Sequence, residues 1–359
     1  MKDVSIDSSS PDSGGGGSGS GPVPSDILVR AGLCGLAYRP SHLAQREIDE
    51  NTSAVVKYLM AEPDAEEFRT LAALRRKGWE SSDGDKAFQE QRKRADNLSK
   101  DISEFNYKLM GKIAEELHTN TGAFQMPPRP CSVLDLCAAP GGFLNHAMRI
   151  NPGCGAVGFS LNPKDGGYPN LLSPFRRRCM KFLDVTMLAE DMMGATDIPA
   201  DHPDADKFLP RQIGEVDRFD LVLCDGHILR TQDRSSGAGD KNNATSDDKN
   251  GTTDDDKIDA TSDSKNYREL YEIYRLKYVQ LALGLEHLKP GGTMVILLHK
   301  VEMWTTLCTL RRLSRFSEQV RLHKPRVSHT TRSSFYLVAT GVDSAHPEAV
   351  AAVAKWKAV

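Results

Sequence analysis

Residues 133–143 read Val133-Leu134-Asp135-Leu136-Cys137-Ala138-Ala139-Pro140-Gly141-Gly142-Phe143. An apolar run turns abruptly into small residues and a glycine pair, and a helical pattern opens after them. That is a strand feeding a helix through a tight turn. Glycine at such a turn lets backbone N–H groups and a helix N-terminus approach the polar groups of a ligand closely. An ordinary strand-to-helix turn needs no Ala-Ala-Pro-Gly-Gly cluster. The stretch is not the dinucleotide fingerprint, because Gly-x-Gly-x-x-Gly is missing, and no Walker loop occurs in the chain.

Toward the C-terminus the pattern continues as strands alternating with helices, which predicts an α/β fold with a largely parallel sheet. Strands are expected at Cys131–Leu136, Ala156–Leu161, near Cys179–Leu183, at Phe219–Cys224 and at Thr293–His299. Val320–His323 and Phe335–Ala339 are expected to pair as the last two. Phe219–Cys224 is continuously apolar, as a strand covered on both faces should be. Helices are expected at Gly141–Ile150, Tyr267–Leu288 and Met303–Phe316, with Lys289-Pro290-Gly291-Gly292 stopping the second of them.

Toward the N-terminus, Asp101–His118 places Phe105, Leu109, Ile113 and Leu117 on one helical face. Residues 26–100 read as a helical accessory region, with Phe68, Leu71 and Leu74 at helical spacings. Residues 1–25 are rich in Ser and Gly and too poor in apolar surface to offset their ordering entropy, so disorder is expected. The same holds for the acidic insertion 234–266, placed between a strand end and a helix start, where an insertion disturbs the core least. The domain itself spans about 101–342, and residues 343–359 form a C-terminal tail or helix.

The 359 residues carry 46 basic and 49 acidic side chains. The acids crowd into Asp240–Asp263, which leaves a more basic remainder suited to a polyanion. Arg176-Arg177-Arg178, Arg311-Arg312 with Arg315, and the charged 75–94 stretch are basic clusters that suit phosphates, though a solvated helix face accounts for each equally well. The seven cysteines include no pair at zinc-finger spacing. No metal is expected, and His299 and His323 read as packing or surface residues. No apolar run is long enough to span a bilayer, and no secretory signal pattern opens the chain. An intracellular protein of cytoplasm or nucleus is therefore expected.

Four stretches in order, DLCAAPGGF (135–143), FDLVLCDG (219–226), LKPGGTMVILLHK (288–300) and HKPRVSHTTRSSFYLVATG (323–341), resemble the motifs of the FtsJ-like ribose 2′-O-methyltransferases. The resemblance covers about two-thirds of the chain. It implies a Rossmann-like class I fold with a seven-stranded mixed sheet and helices on both faces. It also implies S-adenosyl-L-methionine as cofactor and RNA as partner, with a role in rRNA processing. Of the family's Lys-Asp-Lys-Glu set, the resemblance assigns Lys108 (with Lys112 as alternative), Asp225 and Lys300, while Ser334 stands where the glutamate belongs. Asp135, Ala138, Pro140, Gly141, Gly142, Phe143, Ser160, Asp184 and Asp225 are implied to hold the cofactor, with Ser160 in place of the usual ribose-binding acid. Methyl transfer to another acceptor, and a weakened or silent RNA-binding module, remain the alternative readings.

Overall fold

Side chains on a strand alternate between the two faces of a sheet, so each strand here contributes to two separate layers of core. The computed structural model describes residues 4–7, 42–95, 99–128, 130–193, 206–228 and 267–357. Strand β1 (Val4–Asp7) precedes helices α1 (His42–Ala61), α2 (Glu66–Trp79), α3 (Ser82–Ala95) and α4 (Lys100–Thr121). Next come β2 (Ser132–Asp135), α5 (Gly142–Ile150), β3 (Gly155–Ser160), α6 (Pro174–Arg177), β4 (Met180–Phe182), α7 (Ala189–Met193) and β5 (Phe219–Cys224). The chain closes with α8 (Tyr267–Glu286), β6 (Leu288–His299), α9 (Trp304–Arg315), β7 (Ser317–His323), β8 (Ser334–Val342) and α10 (Pro347–Lys357).

The strands form one mixed sheet in the order β1-β7-β8-β6-β5-β2-β3-β4. β4, β3, β2, β5 and β6 are parallel, and β8 lies antiparallel between β6 and β7. The seven strands β2–β8 match the expected sheet. β1 adds an eighth at the edge, antiparallel to β7 with Val4 opposite Leu322. This corrects the expectation of disorder throughout residues 1–25, because the alternating Val-Ser-Ile-Asp suits an edge strand. The rest of that tail, the stretch 27–38 and the acidic insertion lie outside the described residues. Lys289–Gly292 begins β6 rather than merely ending a helix, with a register shift against β5 and β8 that absorbs the Pro-Gly-Gly.

One face of the sheet buries Leu134, Val222, Met294, Ile296 and Leu337 under α8, α9 and α10. The other buries Val133, Leu221, Leu223, Val295 and Val338 under α4 and α5. The accessory helices are also docked. Ile48 and Val55 of α1 pack on Trp304 and Cys308 of α9, and Arg75 of α2 pairs with Glu302 at 2.6 Å. Leu71 and Leu74, read as apolar residues at helical spacing, lie on the helix α2 and are exposed, and no residue of α2 is buried. Among the described residues no helix is long and apolar enough to cross a membrane.

Helix α4 approaches α5 across Gly142, where a β-carbon would lie 2.5 Å from both the Tyr107 carbonyl oxygen and Met110 Cβ. Gly142→Ala is expected to lower folding stability by about 1–3 kcal/mol, the usual cost of overpacking. Urea denaturation measures it, and an unchanged midpoint would contradict the close helix crossing.

Candidate active site

β2 sits between β3 and β5, so the connections leaving it and β5 diverge to opposite sides of the sheet. Open α/β sheets bind ligands in the crevice outside the carboxyl ends of such strands. A cavity of about 950 Å³ lies there. Its walls are Leu136, Cys137, Ala139 and Pro140 after β2, Ser160 ending β3, Asp184–Thr186 after β4, and Asp225 after β5. Leu297 and His299 of β6, Tyr336 and Ser334 of β8, and His329, Arg332 and Ser333 before β8 complete the far side. Ala87 and Glu90 of α3 stand at the same cavity, which the helical region therefore helps to wall.

The electrostatics at the centre are unusual. Tyr336 donates its phenolic hydrogen to Asp225 Oδ1 at 2.8 Å. Burial nevertheless pushes the Asp225 carboxyl up to about 7, with the Tyr336 bond opposing the rise. Asp135 lies behind, 2% exposed, and its Oδ1 accepts from the Cys137 backbone N–H at 3.2 Å. Burial takes it to about 8, and the Asp225 charge adds to the rise. A buried carboxyl, Asp135, behind a half-buried one, Asp225, favours a cationic guest at this wall, which would stabilise their ionised forms.

A polar network forms the other end. Asp184 Oδ1 accepts from the Thr186 backbone N–H at 2.9 Å and from its hydroxyl at 2.7 Å. Glu272 Oε1, buried on α8, lies 3.3 Å from the same hydroxyl, and Arg275 stands 3.8 Å from Glu272 Oε2. Asp184, Thr186 and Glu272 all reach the cavity. Sequence reasoning missed Glu272; its position five residues into α8, the helix that leads back to β6, was the available signal.

The positions expected to hold a cofactor divide. Pro140, Ser160, Asp184 and Asp225 line the cavity. Asp135, Ala138 and Phe143 are buried behind its wall. The glycine pair is packed beside the cavity without lining it: Gly141 takes φ of 111° against Leu172, and Gly142 admits α4. Among the residues expected at the reacting centre, only Asp225 is in the cavity. Lys108, Lys112 and Lys300 are exposed and do not line it. The reason for Lys300 is strand parity: Ile296 and Leu298 face the α8 layer, Leu297 and His299 face the cavity, and position 300 falls on the wrong alternation. Lys300 also adopts φ of 44°, turning the chain away as β6 ends.

What the cavity receives instead is histidine. His299 lines it and sits in register with Ser334 across β6 and β8. His329 Nδ1 lies 2.5 Å from Ser334 Oγ, and its ring stands 5.6 Å from that of Tyr336. The signal for His329 was the His329-Thr330-Thr331-Arg332-Ser333-Ser334 run that delivers β8. His323 packs with Glu116 at 3.1 Å, as a packing residue should. Among the described residues no His, Cys, Asp and Glu group could hold a metal. Of the basic clusters, Arg177 is bonded to the Asn170 carbonyl and Arg315 to Glu348.

The family model of the FtsJ-like methyltransferases matches residues 107–342. No curated protein matches the sequence. Among solved structures, an O-methyltransferase family protein from Burkholderia thailandensis is 10% identical with TM-score 0.31, covering 67% of this chain, which spans 60% of that one. The B. thailandensis 1,6-didemethyltoxoflavin-N1-methyltransferase is 17% identical with TM-score 0.31, covering 77% and 89% of the two chains. Human methyltransferase-like protein 13 is 12% identical with TM-score 0.30, covering 70% and 90%.

Asp225 binds a proton more tightly folded than unfolded, so its contribution to stability falls as pH rises from the ordinary carboxylate range through about 7. Asp225→Asn keeps an acceptor for Tyr336 and removes the buried charge. Its melting midpoint is expected to exceed the wild type's by several degrees at pH 8, roughly 2–4 °C per kcal/mol, and by less at pH 5. An equal shift at both pH values would contradict the buried charge.

Proposed function

The chain belongs to the FtsJ-like methyltransferase family, and from that premise we propose that it transfers a methyl group from S-adenosylmethionine to a ribose 2′-hydroxyl of RNA. The cofactor supplies an activated electrophile, a methyl carbon on a cationic sulfur. Pro140, Ser160, Asp184 and Glu272 would hold it, and Asp225 with Asp135 behind it would stabilise its positive charge. The single observation that carries this reading is the pair of desolvated carboxyls at the carboxyl-end crevice. With an electrophile already activated, catalysis is largely a matter of position and of where the acceptor proton goes.

RNA as the acceptor is supported by the family and by Arg332 at the cavity, with Lys324 close by. A second reading, a module that binds cofactor and RNA without transfer, is favoured by Ser334 in the glutamate's place and by the exposed Lys108 and Lys300. Tritium transfer from labelled cofactor to total RNA, followed by digestion to nucleosides, separates the two. Label in 2′-O-methylnucleosides is expected. Label confined to bases or protein, or cofactor bound with no transfer, would contradict the ribose reading.

Cofactor affinity is expected to rise about tenfold between pH 6 and pH 8.5, because ionised carboxylates bind the cation and a one-unit pKa change carries a factor of about ten. Asp225→Asn should flatten that dependence in calorimetry. An equal pH dependence in both proteins would place the effect elsewhere.

A further inference from the structure

Removing the lysines from the cavity leaves a chemical vacancy in the proposed reaction, since a ribose hydroxyl must lose its proton as it is methylated. The polar side chains that β6, β8 and the segment before β8 bring to the cavity include His299, His329, Arg332 and Ser334. Of these, His329 is buried, so its ring is fixed by its surroundings. Ser334 Oγ holds Nδ1 at 2.5 Å, and the Tyr336 ring packs against it 5.6 Å away. Through Tyr336, which donates to Asp225, the imidazole is tied to the wall where the methyl carbon would lie. The side-chain hydrogen bond of the imidazole is made at Nδ1, and His329 borders the cavity. A nitrogen base oriented by a third group beside an open site is the arrangement general-base catalysis requires.

We propose that His329, oriented by Ser334, is the general base of this protein, in the place that the family motif gives to lysine. The inference rests on the methyl-transfer reading above. The acceptor oxygen forms its bond to the methyl carbon while the carbon–sulfur bond breaks and its electron pair stays on sulfur. The hydroxyl proton passes to His329 Nε2 and leaves to solvent with the products, which are the methyl ether and S-adenosylhomocysteine. Ser334 is a positioning residue: with its hydroxyl accepting from Nδ1–H, the ring's lone pair lies on Nε2, the tautomer that the proposed step requires.

The surroundings also make the base responsive to its substrate. His329 faces Arg332 on its own segment, Lys324 after β7, His299 on β6 and, beyond Tyr336, Asp225 after β5. Burial and then the charges of Arg332 and Lys324 push its pKa down to about 4, so it is neutral at pH 7. A backbone phosphate paired with Arg332 and Lys324 would cancel those charges and raise its basicity only when RNA is bound. Ser334 thus holds the base in the ligand-free protein, and the acceptor strand itself tunes it.

Two measurements test this. In tritium transfer to total RNA, His329→Asn is expected to lose about a hundredfold or more, the usual weight of a general base. His329→Gln should behave alike and Ser334→Ala should lose about tenfold, while calorimetric binding of S-adenosylmethionine to all three shows that they fold. Independently of activity, long-range nitrogen–proton NMR of the ligand-free protein is expected to find His329 neutral from pH 5.5 to 8. It should be protonated at Nδ1 and lose that preference in Ser334→Ala. Transfer within a few-fold of wild type in His329→Asn, loss in Lys300→Ala or His299→Asn instead, or an Nε2-protonated ring would each overturn the proposal. If the wild type labels no RNA, the ribose reading fails, and the tautomer still decides whether His329 offers a lone pair to the cavity.

Discussion

A carboxyl group taken out of water seeks either a proton or a cation, and Asp225 is built into the crevice under that constraint. The fold delivers it at the carboxyl end of the fully buried strand β5. Tyr336 reaches it from β8, across the intervening β6, and binds it at 2.8 Å. Phe143 and His329 pack on the two sides of Tyr336, with ring centroids 5.7 and 5.6 Å away. One hydrogen bond therefore joins the first helix after the glycine turn, the last strand and the acid at the strand end. The energetic cost of burying Asp225 is tolerable because Tyr336 satisfies one oxygen and because a cationic guest offsets the remainder.

The two-layered core decides which residues of the strand ends reach the cavity. Every strand in the centre of the sheet gives alternate side chains to the α8 layer and to the α4 layer. At the crevice the strand ends present mainly the parity of the α4 side, while Leu136 of the opposite layer and Glu272 and Leu276 of α8 close it from the other side. Asp135, Asp225, Leu297, His299, Ser334 and Tyr336 share that parity, and Lys300 does not. A one-residue step along a strand thus decides whether a side chain meets a ligand or solvent. The accessory helices extend the same wall, held beside it by Arg75, which bonds Glu302 and the Ser333 hydroxyl.

Much of the fold was legible in the sequence because hydrophobic alternation and the glycine turn are local signals. β5 was expected at Phe219–Cys224 and occupies those residues, and α8 begins at Tyr267 as expected. The edge strand Val4–Asp7 was not legible, because its partner lies more than 300 residues away and its own four residues carry little pattern. The glycine pair was read for the turn it makes, and its small size also serves helix packing at Gly142, which the sequence did not show. Asp225, Ser160 and Asp184 were found from motif order, and the cavity contains all three. The lysines were assigned from motif order too, but motif order does not encode which face of helix α4 carries Lys108 or which side the chain takes at Lys300 as β6 ends. His329 and Glu272 lie in segments whose sequence offered only a weak signal, and tertiary folding brings them to the cavity.

The central claim is that the crevice holds the methyl donor between the Asp184 network and Asp225. A crystal structure of the protein with S-adenosylhomocysteine tests it most directly. The nucleoside is predicted to lie beside Asp184 and Ser160, with its sulfur near Asp225 and His329 Nε2 turned toward the open side of that sulfur. Density for the ligand outside this cavity, or with its sulfur away from Asp225, would contradict the account.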